Sequence, residues 1–275
     1  MLFVGLAAVL ALWSWRVLRD RPIRKYATFY VLTAAGGCVA ECSVLGIWYP
    51  FETHLYVLRD PYSDLFLTEI VAKLILMPLI GCLYVRYSGQ HPIRTAIVGA
   101  LLLGMVELGF VATGAVIYQG WNTLFTILLF FGLFVVLNWF QNRPAPLWLQ
   151  TGAVSFATGY STHQLARIFP LWEHAFPLPY YSTDSLFLIA QNGLVAGPSA
   201  LAVALIPRLR NPVGVLAAVG LNVLVDEWLR AAGILIYTGW NPWLGGLRYL
   251  LVIGITLAYS QWQMEERTGP IQVSH

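Results

Sequence analysis

Nine stretches of this chain are each long and apolar enough to leave water. They run over residues 1–18, 27–49, 65–87, 95–118, 123–140, 147–168, 185–206, 213–237 and 243–262. A membrane-spanning helix needs roughly 20 mostly apolar residues, so each stretch is expected to be one span. The runs are continuous rather than alternating, which excludes transmembrane β-strands. Charged residues make up only 11% of the chain and hydrophobic residues 58%. A soluble domain carries about 25% charge, and this chain cannot cover a water-facing surface. Soluble-enzyme, disordered and nucleic-acid-binding classes drop out. The expected fold is all-α: a polytopic transmembrane helix bundle of about nine spans. Residues 1–18 lack a preceding basic segment and are followed at once by basic residues, so they are read as an uncleaved first span.

Basic residues set the expected orientation. Arg16, Arg19, Arg21, Arg24 and Lys25 follow span 1, Arg86 and Arg94 follow span 3, Arg143 follows span 5, and Arg208 and Arg210 follow span 7. All are exits of odd-numbered spans. That face is expected to be cytoplasmic, in the plasma membrane, with the N-terminus outside and residues 263–275 as a cytoplasmic tail. The net charge of +3 is thereby a topological feature. The opposite loops are rich in Trp, Tyr, Pro and acids. Their aromatics serve either as an interfacial belt or as lining for a substrate. Cys38, Cys42 and Cys82 lie inside apolar runs and read as buried thiols, not as a disulfide framework. Nucleotide-loop, zinc and haem spacings are absent, and no cofactor or metal is expected.

The chain contains an internal repeat. Gly114–Asn122 (GAVIYQGWN) returns as Gly233–Asn241 (GILIYTGWN), with six of nine residues identical. Pro78 and Pro92 return as Pro198 and Pro212. Spans 2–5 thus correspond to spans 6–9. A shift of four spans keeps both units in the same orientation, giving parallel tandem repeats about an axis along the membrane normal. The units are 1–140 and 123–262, with span 5 shared.

Ionisable side chains within spans are costly and mark functional sites. Glu41 lies about 12 Å from the outer end of span 2, at ~1.5 Å per residue. Asp64 opens span 3, Glu107 sits near the middle of span 4, and Asp226 occupies its repeat position in span 8. Glu69 and Lys73 are four apart and can neutralise each other. His163 falls near the repeat position of Glu41. Two readings stand side by side. In one, Glu41, Asp64, Glu107 and Asp226 form a catalytic ring facing one interior, with Trp48, Trp121, Trp228, Trp240, Tyr118, Tyr237 and His163 contacting substrate. In the other, the acids pair with Lys73, Arg167, Arg230 and Arg248 to hold helices together. Deep acids outnumber deep bases, so at least one carboxyl is expected to keep a proton and to serve as a donor.

Residues 65–140 and 185–262 resemble a family of small uncharacterised five-span membrane proteins of spore-forming bacteria. The resemblance rests on Glu107, Gly114, Ile117-Tyr118, Gly120-Trp121-Asn122 and Trp139. More distantly, Glu41, Gly46-Ile47-Trp48, Pro50 and Asp64-Leu65-Phe66 are similar to the lycopene cyclase domain, and Glu41 with Tyr49-Pro50 to fungal meroterpenoid cyclases. The Pro-x-Glu-Glu motif of the former is replaced by Pro61-Tyr62-Ser63-Asp64. The resemblance implies acids that protonate an isoprenoid alkene or epoxide. The expected function is therefore an isoprenoid or terpene cyclase acting on a polyprenyl substrate or membrane lipid, with aromatics stabilising carbocations. The alternatives are a proton-coupled or small-solute transporter and a non-enzymatic structural membrane protein.

Overall fold

The computed structural model describes residues 2–40, 51–53, 57–59, 61–118, 120–168, 172–174, 196–231, 235–237 and 239–268. The chain is a helical membrane protein. In order it comprises α1 (Leu2–Leu18), α2 (Ile23–Ala40), β1 (Phe51–Thr53), α3 (Pro61–Val71), a π-helical turn (Ala72–Leu76), α4 (Met77–Tyr87), α5 (Pro92–Ala112) and β2 (Val116–Tyr118). There follow α6 (Thr123–Asn142), α7 (Leu147–Ile168), β3 (Trp172–His174), α8 (Ala196–Leu205), α9 (Pro212–Ala231), β4 (Leu235–Tyr237) and α10 (Pro242–Thr268). With α3 and α4 counted as one continuous helix, the described residues hold nine helices. Five are long and apolar enough to cross a membrane: Leu67–Tyr87, Pro92–Ala112, Thr123–Asn142, Pro212–Ala231 and Pro242–Glu265.

The expected spans 4 and 8 end early. Their last residues are three-residue strands, not helix. β1 pairs antiparallel with β2, setting Phe51 opposite Tyr118, and β3 pairs with β4, setting Trp172 opposite Tyr237. The chain turns out of α5 at Gly114, whose φ is +73°. Gly114 N–H donates to Val111 O at 3.0 Å and Ala115 N–H to Phe110 O at 2.9 Å. This pair of bonds is a Schellman cap, which satisfies the last carbonyls of the helix and needs a left-handed residue. Past the strand, Asn122 caps the start of α6. Its side chain accepts from Leu124 N and Phe125 N. Asn241 accepts from Leu244 N at 3.0 Å in the same way. The repeated Gly-Trp-Asn motif therefore has a structural role, since its Asn caps the helix that follows each strand.

Helix α7 packs against α2, α3, α8 and α10, which places it at the centre. α5 packs on α6, and α9 on α10. Close approach comes from small residues, as is usual where lipid and protein interior are equally apolar. A Cβ built at Gly104 would lie 2.7 Å from Ile127 Cγ1, across the α5–α6 contact.

The ends that carry the basic loops meet. Arg24 pairs with Glu265 at 3.6 Å, and Gln263 donates to Arg24 O. Gln141 donates to Ser88 Oγ at 2.7 Å, and Arg210 to Met264 Sδ at 3.7 Å. The exits of α1, α4, α6 and α8 and the end of α10 thus share one end of the bundle.

Gly114→Val is expected to lower stability by about 1–2 kcal/mol, the cost of a side chain in left-handed conformation. Gly109→Ala, where an added Cβ meets nothing within 4 Å, should be neutral or stabilising. Thermal unfolding in detergent distinguishes the two. Equal melting temperatures for both variants would contradict the cap.

Candidate functional site

Helix α7 is the least apolar of the helices up to Ile168 and yet the most enclosed. Gln150, Thr151, Ser155, Ser161, His163 and Gln164 are all buried on it. Some of that polarity is absorbed locally: Ser161 Oγ donates to Ala157 O at 2.6 Å and Thr151 Oγ1 to Leu147 O at 2.9 Å. The rest joins helices. Near the basic end, Gln150 Oε1 accepts from Thr28 of α2 and Tyr259 of α10, each at 3.0 Å.

Further along α7, two charged clusters converge on one turn, Gly159–His163. The first comes from the π-helical turn. Lys73 forms an ion pair with Glu69 in near-complete burial. Tyr160 of α7 donates to Glu69 Oε2 at 3.3 Å and accepts from Lys73 Nζ at 3.4 Å. Lys73 Nζ also stands 5.5 Å from the Tyr160 ring centroid, close enough for a cation–π contact. The local backbone follows from Pro78. Proline has no N–H to give to the carbonyl four residues back, at Leu74. The hydroxyl of Tyr30 on α2 donates to Leu74 O instead. Such re-satisfied breaks are tolerated in membranes only where protein supplies the partner.

The second cluster lies on α9 and α10. Asp226 is 4% exposed. Tyr249 donates to Asp226 Oδ1 at 2.7 Å. Among the described residues Asp226 Oδ2 has no hydrogen-bond partner. Arg248 reaches α7, donating to Thr162 Oγ1 at 3.2 Å and Gly159 O at 3.3 Å, and also to Tyr249 Oη at 3.4 Å. One turn before Asp226 on α9, Asn222 is fully buried and donates to Ala218 O at 2.7 Å. Gly245 sits against the acid: a Cβ there would be in ordinary contact with Trp240 Nε1 at 3.5 Å and Asp226 Oδ2 at 3.8 Å.

Tyr160 and Thr162 lie about 200° apart around α7, so the clusters flank the helix at one depth. His163, fully buried, lies on this same turn.

Other residues singled out in the sequence fall elsewhere. Asp64 accepts from Val57 N and Leu58 N, each at 2.9 Å, and so fixes the chain entering α3. Glu107 accepts from Tyr118 Oη at 2.5 Å, with Thr123 Oγ1 2.7 Å from the same hydroxyl. Glu107 on α5 and Asp226 on α9 are not brought into one hydrogen-bonded cluster. Trp121 donates to Thr126 Oγ1 at 2.6 Å. Trp228 is 67% exposed, two residues from Asp226 and hence on the other side of α9. Glu227 and Arg230 pair with each other at 2.8 Å. Glu41, Cys42 and Trp48 lie outside the described residues, as do the side chains of Tyr237 and Arg167. Cys38 and Cys82 are buried thiols. Tyr160, Thr162, Tyr249 and Asn222 do not stand out in the sequence. The signal that points to Tyr160 and Thr162 is the density of polar residues in span 6.

No protein-family model, curated protein or solved structure matches the chain.

Lys73→Met is expected to destabilise the protein by about 3–5 kcal/mol, because it strands Glu69 in a buried site. Lys73→Met with Glu69→Gln should recover part of that loss. A double variant no more stable than the single one, by thermal unfolding in detergent, would show that the pair is not a buried ion pair.

Proposed function

We propose that this protein is an integral-membrane isoprenoid cyclase in which Asp226 delivers the proton that starts cyclisation. The observation that carries the reading is the division of labour at its carboxyl group. One oxygen is held by Tyr249, while the other, without a hydrogen-bond partner among the described residues, borders Gly245 beside the Trp240 indole. A proton donor to an alkene needs such an oxygen, since carbon offers no lone pair to compete for.

The proton would pass from Oδ2 to one alkene carbon, forming a C–H bond and leaving a cation on the neighbouring carbon. A second alkene of the same chain supplies the electron pair for the new C–C bond. Loss of a proton to a base then gives a cyclic isomer of unchanged mass. The Tyr249 hydroxyl stabilises the carboxylate left behind, a bond that strengthens as charge develops. Trp240 stabilises the carbocation by cation–π attraction. Arg248 holds Tyr249 and α7 in register. Glu107, bonded by Tyr118, is the corresponding acid of the first unit, and Glu41 is a further acid there.

A panel of linear polyprenyl hydrocarbons and alcohols in proteoliposomes tests the reading. Wild-type protein should yield an isobaric cyclic product that takes up deuterium from heavy water. Asp226→Asn should abolish it, a loss of at least about 100-fold, without loss of fold. Unchanged turnover in a folded Asp226→Asn protein would overturn it.

One observation favours proton-coupled transport instead: a second buried charge cluster, Glu69–Lys73–Tyr160, on the other side of the same helix. Solute-driven proton flux in sealed proteoliposomes would select that reading. If Asp226→Asn changed stability alone, the charges would serve helix association.

We further infer a parallel tandem duplication with the basic face cytoplasmic. In support, the two strand pairs recur 119–121 residues apart, α5 and α9 both begin at proline, and α6 and α10 both follow a capping Asn. Under this reading α2 and α7 are equivalent helices, and they pack on each other. Cysteines placed at Asp20 and Gly120 should label from opposite sides of sealed vesicles. Labelling from one side would reject the nine-span topology.

A further inference from the structure

We propose that the groove between α1, α4 and α5 holds one anionic phospholipid, its phosphate at Arg94 and an acyl chain along α5. The groove has a volume of about 570 Å³, within the ~300–1,000 Å³ of small-molecule sites. Its walls are apolar along most of their length, with Leu10, Leu83, Val98, Leu102 and Phe134 among them. Val98 and Leu102 are about half exposed, at 49% and 52%. The polar residues gather at one end, where Gln90, His91 and Arg94 line the mouth.

That mouth lies at the end of the bundle that carries the basic loops. Arg94 is exposed and makes no ion pair among the described residues. A cation without an acid beside it, at the open end of an apolar groove, complements an anionic headgroup. Trp13 and Tyr87 stand beside it, ring centroids 6.0 Å apart, with the indole N–H donating to the Tyr87 hydroxyl at 3.3 Å. Paired aromatics of this kind sit at headgroup level. From Arg94 to Leu102 the helix rises about 12 Å, less than half of the ~30 Å hydrocarbon core. The groove therefore takes a lipid from one leaflet. Its walls share no residue with the Asp226 cluster, which makes this inference independent of the cyclase reading.

The test uses full-length protein purified in detergent, with phosphatidylglycerol, phosphatidylcholine or inorganic phosphate added. Binding is read by native mass spectrometry and by the shift in melting temperature. Phosphatidylglycerol should bind and raise the melting temperature more than phosphatidylcholine, and inorganic phosphate should do neither. Arg94→Gln should weaken phosphatidylglycerol binding about fivefold, the worth of one membrane-surface cation. Its melting temperature without lipid should match wild type. Leu102→Trp, which fills the groove, should reduce binding of both lipids. Equal affinity for the two lipids in wild type, unaltered phosphatidylglycerol binding in Arg94→Gln, or an equal shift from phosphate alone would each overturn the proposal.

Discussion

A polar group within hydrocarbon must find its partner in the protein, and α7 imposes that constraint on the rest of this bundle. It carries more hydrogen-bonding side chains than lipid tolerates, so it is enclosed by α2, α3, α8 and α10. Its neighbours then supply what the enclosed groups require. α3 and the π-helical turn bring Glu69 and Lys73 to Tyr160, α10 brings Arg248 to Gly159 and Thr162, and α2 brings Thr28 to Gln150. Helices with little internal polarity, α5 and α6, need no such enclosure. They pack on each other through glycine and turn their apolar faces outward.

If the chain is a tandem duplication, as proposed, its two halves differ in chemistry more than in framework. At the repeat offset of 119 residues, Asp226 falls on Glu107, while Asn222, Arg248 and Tyr249 fall on Leu103, Leu129 and Phe130. The acid is present in both units. Its surroundings in the second are polar and interlocked. In the first, Glu107 is held by the nearby Tyr118 instead. Under the proposed duplication, the framework is supplied twice and the buried network only once.

The helices were legible because membrane-length apolar runs leave few alternatives. Their ends were less so. Val116–Tyr118 and Leu235–Tyr237 continue the apolar runs without a break, and only the left-handed turn at Gly114 separates helix from strand in the first of them. Asp64 reads as a site acid by sequence position, but its carboxyl is committed to two backbone N–H groups of the preceding loop. Asp226 was visible as an acid in an apolar run. Tyr249, its partner 23 residues later, was not, because helix periodicity describes one helix at a time and the pairing of α9 with α10 is tertiary. Trp228 was readable in principle: two residues from Asp226 on one helix, it must face away from it.

The Gly159–His163 turn of α7 touches both charged clusters, and it couples them if they form a single site. A double-mutant cycle for Glu69→Gln and Asp226→Asn measures that coupling directly, by unfolding free energy in one detergent. A single site predicts a coupling larger than about 0.5 kcal/mol, the limit within which independent positions add. Additive effects would mean two separate clusters that share only a helix.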